Sequence, residues 1–312
     1  MPKYLKVLLG LLLLLGVNFV VAAPGTYVSI DAKIRGSSAP AHTKELSRVS
    51  SPMRIASVNI CLDQLLWQLL PRNRLVSFSY LTADPMWSPI AAQVAPLIAQ
   101  QQLSLNHGLA EEIVPLKPDI VLAGEFDSAD TVDLLLRLGA RVERLALPRT
   151  LDDIPAQIRS LAQLVGAEPQ AEQLIQNINH QLEILDAVPK ADIAPTAFWY
   201  SSNGVVIGGG TLEHELMQRA GLRNLAAERG IQGFAPLDLE LLISAKPQFI
   251  IIEESNASAY SLAREYLAHP LLRQDHFKIV RLPSGLSGCA ATAVEEVALA
   301  LKDELKLHHP QR

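Results

Sequence analysis

The chain has 312 residues, with 27 Lys and Arg against 32 Asp and Glu, a net charge of -5 and an apolar share of 49 %. So acidic a balance offers no basic face for nucleic acid, and no nucleic-acid partner is expected. Two Cys and eight His, the latter without metal-ligand spacing, are too sparse for a disulfide framework or a structural metal centre.

The order of elements starts outside the fold. Lys3 and Lys6 precede the apolar run Val7 to Val21, and the small residues Ala22 and Ala23 follow. This is the pattern of a secretory signal peptide over residues 1–22, cut after Ala22 because Pro24 disfavours a cut at Ala23. The alternative is an uncleaved anchor, since the run approaches the length of a transmembrane helix. Without Lys3 and Lys6, 25 basic residues face 32 acidic ones. Residues 23–53 carry Gly, Ser, Pro and Thr without apolar periodicity and read as a flexible lead-in.

Residues 54–167 read as a first α/β lobe. RIASV predicts a strand, Leu62 to Leu70 an apolar-faced helix stopped by Pro71, and LVSFS at 75–79 a second strand. A loop with Asp84, Pro85, Trp87 and Pro89 leads to an Ala-rich helix, and Asn106-His107-Gly108 signals a turn. Asp119 to Ala123 is a buried strand, Thr131 to Leu138 a helix ended by Gly139, and RVERLAL another strand. Strands alternating with helices indicate a parallel sheet. Thr150 with Asp153 starts a helix. Residues 168–190, with Pro169 in the first turn, read as one long linking helix. Residues 191–306 read as a second α/β lobe: the strand AFWYSS, a Gly208-Gly209-Gly210 turn, a helix capped by Thr211, a strand at Phe249 to Ile252, a helix at Tyr260 to Leu267, the strand KIVRL and a last helix. Residues 307–312 are a tail.

One pattern occurs twice. AEEIVPLKPDIVLAG starts at Ala110 and DLELLISAKPQFIIIEES at Asp238, about 130 residues apart. Each predicts a short amphipathic helix with a Glu near its start, a Lys-Pro stop and a buried strand. Glu111 and Glu240 stand at the same distance before Pro118 and Pro247. Two similar α/β lobes imply a cleft between them, the place to seek function.

In their order along the chain, RIASVNICLDQ, SYLTADP, NHGLAEEIVPLKPDIVLAG, GGGTLEHELMQRAGLRN, LDLELLISAKPQFIII and SGLSGCAATAVEEV carry a resemblance to the periplasmic substrate-binding proteins of ABC importers for ferric siderophores and cobalamin. It runs from Arg54 to Leu305. The resemblance implies two parallel-sheet lobes joined by one long linking helix, with a metal chelate bound between them. It also implies a monomeric periplasmic receptor with no intrinsic cofactor and no catalytic residues. Its partner is an ABC importer permease dimer, which Glu111 and Glu240 would meet through Arg residues of that permease. The alternatives are a receptor for a free divalent metal ion, or a sensor or enzyme on the same two-lobe scaffold. No motif of nucleophilic, zinc-dependent or phosphate-binding catalysis is present.

Ligands of parallel α/β sheets bind beyond the carboxyl ends of the strands. Residues expected there are Asn59, Tyr80, Asp84, Trp87 and Phe126 in the first lobe, and Tyr200, Asn203 and Phe234 in the second. Aromatics with a few polar groups suit a bulky, partly apolar chelate. Arg229 and Arg281 are the candidate cations, too few for a strongly anionic ligand. Cys61 and Cys289 both follow predicted strands. They read as an interlobe disulfide, as thiols contacting a metal or redox-active ligand, or as two unrelated buried thiols.

Overall fold

The computed structural model describes residues 52–187, 190, 192–201, 204–254, 269–270, 277–283, 286, 289, 294 and 296–303. The signal peptide, nearly all of the lead-in, Asn203, the helix expected at Tyr260 to Leu267 and the tail lie outside the described residues.

The first lobe is built on a five-stranded sheet in the order β3-β2-β1-β4-β5, every neighbouring pair parallel. Its strands are β1 (Ile55–Ser57), β2 (Leu75–Ser79), β3 (Ser104–Asn106), β4 (Ile120–Gly124) and β5 (Val142–Leu145). Every residue of β1, β2 and β4 is buried, as expected for strands covered by helices on both faces. Those helices are α1 (Ile60–Leu69), α2 (Ala91–Ala99), α3 (Ala110–Ile113), α4 (Ala129–Arg137) and α5 (Ile154–Val165). The chain steps outward from β1 to β2 and β3, then returns to the other side with β4. That reversal leaves a crevice at the carboxyl ends of β1 and β4.

Strand β3 was not legible, because three residues are too few to show a period. Buried Asn106 anchors it: its amide nitrogen lies 2.9 Å from the Ser57 carbonyl, 2.8 Å from Ser77 Oγ and 2.9 Å from the Phe78 carbonyl. A buried amide so engaged fixes the rim of three strands at once.

The chain leaves this lobe through α6 (Glu168–Asp186), 19 residues and about 28 Å long. Pro169 sits in its first turn, where the missing N–H costs nothing. Its buried residues Ala171, Ile175, Ile178, Leu182 and Leu185 recur at three- and four-residue steps and form one stripe. The stripe joins a continuous core containing Ile55 and Leu122 of the first lobe together with Trp199, Ile251 and Val280 of the second. Among the described residues no helix is long and apolar enough to cross a membrane.

The second lobe's sheet runs β11-β10-β6-β7-β9, with β8 beside the start of β6. Its strands are β6 (Thr196–Ser201), β7 (Val205–Ile207), β8 (Arg223–Asn224), β9 (Phe234–Pro236), β10 (Phe249–Glu254) and β11 (Lys278–Pro283); its helices are α7 (Leu212–Arg219), α8 (Leu225–Glu228) and α9 (Leu239–Ser244), and residues 296–303 are also helical. Strands β6, β10 and β11 are parallel, but β7 is antiparallel to both β6 and β9. This corrects the expectation of a parallel sheet here. Ser201 pairs directly with Val205, and so short a return permits only a hairpin, whereas a parallel neighbour needs a crossover of about a dozen residues.

Candidate functional site

The two copies of the Glu–Lys-Pro pattern adopt the same backbone. Lys117 and Lys246 are both left-handed, with φ of 48° and 50°, and each precedes a Pro that opens a central strand. Each Lys N–H closes a tight turn, onto Val114 in the first copy and Ile243 in the second. A left-handed residue stops a helix by turning the chain out of the right-handed path, and Pro then forbids its return. Glu111 and Glu240 thereby lie in the first turns of α3 and α9, both exposed. Neither carboxylate makes a hydrogen bond or ion pair among the described residues.

Its neighbour Glu112 is committed elsewhere. Its carboxylate accepts the His107 backbone N–H at 2.6 Å and meets His107 Nδ1 at 2.9 Å. The backbone bond from His107, then its imidazole, hold the Glu112 carboxyl below the ordinary carboxylate range. Glu111 is therefore the carboxylate left facing outward in the first copy.

The crevice at the sheet rim opens into a cavity of about 210 Å³ lined by both lobes. The first lobe contributes Cys61 and Leu65 from α1, Glu125 and Phe126 after β4, Leu147 to Arg149 after β5, and Gln157 from α5. Across from them stand Gly210, Thr211, Leu212 and Glu213 at the start of α7, then Phe234 and Cys289. Phe126 and Phe234 are 78 % and 55 % exposed, one apolar ring offered by each lobe. Arg149 faces Glu125 at 3.6 Å and supplies a cation at the rim.

Cys61 and Cys289 form a disulfide across this cavity, 228 residues apart in sequence and 5.1 Å between Cα atoms. Of the three readings of the pair, the interlobe bridge is the one realised. A second link between the lobes is the Leu151 N–H, which donates to Glu215 Oε2 at 2.7 Å.

Local structure explains why Cys61 sits where it does. Asn59 caps α1, its side-chain oxygen accepting from the N–H groups of Cys61 and Leu62. Its amide also donates to Asp127 Oδ1 at 3.2 Å, and Asp127 Oδ2 accepts the Gly124 N–H at 2.6 Å. A Cβ at Gly124 would come within 2.6 Å of the Asn59 amide, so a larger residue there would displace the side chain that caps α1. Beneath this network lies Asp63, fully buried and accepting from the Ser79 N–H and the Thr82 hydroxyl. Burial pushes its carboxyl well above the ordinary range, against the lowering effect of those bonds, and the charge of Asp127 adds to the rise.

The expected ligand contacts divide accordingly. Phe126 and Phe234 line the interlobe cavity. Tyr80 lines a separate hollow of about 360 Å³ in the first lobe, its ring stacked on His107 at 4.6 Å. Asp84 and Trp87 border neither cavity: the Asp84 carboxylate accepts the Met86 N–H, and its carbonyl accepts from Trp87 and Ser88, which makes it a turn residue. Two expectations need correction. Asn59 is engaged in capping α1 and holding Asp127. Tyr200 is wholly buried in β6 against Phe198, Val206 and Ile252. Alternate residues of a strand face opposite ways, so a strand-end aromatic need not reach a cleft. Arg229, one of the two expected cations, caps the end of α8 and donates to the carbonyl of Leu225. Leu147, Arg149 and Gln157 were not anticipated, although the rule that located Phe126 after β4 applies equally to the segment after β5. Among the described residues no group of three or more His, Cys, Asp or Glu is placed to hold a metal ion.

Three solved structures share this architecture. A periplasmic heme binding protein from Pseudomonas aeruginosa is 22 % identical, with a TM-score of 0.61 over 81 % of this chain and 93 % of that one. The periplasmic heme-binding protein RhuT from Roseiflexus sp. RS-1 is 20 % identical, with a TM-score of 0.61 over 81 % and 99 %. HutB of Vibrio cholerae, also a periplasmic heme binding protein, is 19 % identical, with a TM-score of 0.63 over 83 % and 99 %. No curated protein sequence matches the chain. Residues 55–275 match the family described as periplasmic binding protein, and that span takes in both copies of the repeated unit, the linking helix and most of the cavity wall. The chain belongs to the periplasmic binding protein family, whose members bind substrates and are not enzymes.

Proposed function

We propose that this protein is the receptor of an ABC importer. It takes a metal chelate into the interlobe cleft and presents it to a permease dimer through Glu111 and Glu240. The observation that carries the reading is the pair of outward carboxylates, one on each lobe, held by the same left-handed Lys-Pro turn. Matching charges on two lobes make a two-point latch that both steers and orients an encounter. The rings of Phe126 and Phe234 suit the apolar faces of a chelate, and Arg149 suits a carboxylate at its rim. Because the three structural neighbours are heme-binding proteins, heme leads the panel of ligands, ahead of cobalamin and the ferric siderophores. The chelate is cargo, and the protein needs no cofactor of its own.

The test separates cargo from delivery. Binding of heme, cobalamin, ferric hydroxamates and ferric catecholates is measured by tryptophan fluorescence or absorbance with the mature protein. One of them should bind saturably and lose affinity in Phe126→Ala and Phe234→Ala. Glu111→Ala with Glu240→Ala should bind that chelate normally and fail to drive uptake. A double variant that still supports full uptake would remove the docking reading.

A further inference from the structure

The Cys61–Cys289 bridge ties the first turn of α1 to a segment that follows β11. Cys61 belongs to the first lobe and Cys289 to the second, and both line the cavity that would receive the ligand. The lobes have one other nearby covalent link, the helix α6, which shares its apolar stripe with both lobes. A helix free of internal Pro or Gly resists sharp bending, and α6 carries its one Pro in the first turn. Opening therefore has to occur on the cleft side, where the bridge lies. Bridged cysteines keep their Cα atoms within about 7 Å, and here they stand at 5.1 Å, so the cleft can widen at that point by only about 2 Å. The cavity is half-open and holds about 210 Å³, below the roughly 300–1,000 Å³ typical of sites for ligands of drug size or larger.

We infer that the disulfide is a thiol-controlled gate on the ligand cleft: bridged, it holds the lobes too close for a chelate of tetrapyrrole size, and reduced, it lets them part to admit one. The inference rests on the receptor reading given above. The reductant is a dithiol, either a small molecule or a thiol oxidoreductase exposed to the same compartment. One thiolate of that dithiol attacks a sulfur of the bridge and expels the other cysteine as a thiolate. The second thiolate then resolves the mixed disulfide. Two electrons pass to the protein, Cys61 and Cys289 each gain a proton, and the dithiol ends as a disulfide. Cys289 is buried and Cys61 half-buried, and both line the cavity, so the attacking thiolate approaches through the cavity with the Cys61 sulfur as the more accessible target.

The experiment uses the mature protein in three states: air-oxidised, reduced with a dithiol, and a Cys61→Ser/Cys289→Ser variant. Alkylation followed by mass measurement verifies the bridge in the first and two free thiols in the second, and circular dichroism checks folding in all three. Each is titrated with hemin and with cyanocobalamin, and small-angle scattering follows lobe separation. The expected result is binding at least about tenfold tighter in the reduced protein and in the variant than in the bridged protein, since affinity falls in proportion to the fraction able to open. The variant should be indifferent to the dithiol, and its lobes should be further apart on average. Equal affinities in the bridged and reduced protein would overturn the gate and leave the receptor reading standing, as would tighter binding by the bridged form. Folded protein that binds neither probe in any state would overturn both.

Discussion

The first copy of the repeated unit, Ala110 to Gly124, and the second, Asp238 to Glu254, share the exposed Glu, the left-handed Lys, the Pro and the buried central strand. They differ one residue along. In the first copy Glu112 folds back onto His107 and ties α3 to the end of β3. In the second the matching position is Leu241, more than half exposed, and no such tie exists there. The sheets around them differ as well: β4 lies between two parallel neighbours in an all-parallel sheet, whereas β10 belongs to a sheet whose far half is antiparallel. The two copies thus keep the helix stop, the central strand and the placement of one outward carboxylate, while the neighbours of that carboxylate differ; the proposed docking uses only the shared part.

The sharpest way to break the comparison is to remove the shared feature. Replacing Glu111 or Glu240 by Lys should each weaken permease association by about 2–5 kcal/mol, with the double change abolishing permease-coupled ATPase stimulation while chelate affinity stays unchanged. Unequal effects would show that one lobe leads the docking. The bridge is the next lever, because it joins the lobes the comparison treats separately. Its loss in Cys61→Ala/Cys289→Ala should cost about 2–5 kcal/mol in urea unfolding, given the long loop it closes. A denaturation profile that splits into two transitions would show that the lobes then unfold independently.

Smaller effects test the shared turn. Lys117→Gly and Lys246→Gly should each raise stability by about 0.5–1 kcal/mol, because glycine adopts a left-handed backbone without steric penalty. Equal gains in thermal melts would support equivalent geometry, and a loss at either site would contradict it. The subtlest effect belongs to the first lobe. Since burial raises the Asp63 carboxyl in the folded state, its protonated form favours folding. That contribution is fully present below the unfolded carboxyl value of about 3.9 and is lost as pH rises through the higher folded value. Melting temperatures of Asp63→Asn should lack this downward slope with pH, and an unchanged slope would assign it to another group.

Much of the fold could be read locally. Pro118 and Pro247 bar the chain from resuming a helix after Lys117 and Lys246, and Thr150 with Asp153 forms the capping box that these residue types predict. The stripe on α6 reports a buried face through its period alone. The strands β3, β7, β8 and β9 and the four-residue helix α8 are too short to carry a period that could be detected.

The sequence by itself determined two α/β lobes, one linking helix and a matched pair of acidic helix starts, because each follows from chemistry within a few neighbouring residues. Only the tertiary structure decided that Cys61 bonds to Cys289, that Tyr200 turns into the core while Phe126 and Phe234 face the cleft, and that Glu112 is spent on His107. The physical reason is separation. Cys61 and Cys289 meet across 228 residues, and the orientation of Tyr200 depends on the strands on either side of it, β10 and β7. Such contacts are set by how whole lobes pack, which no local pattern encodes.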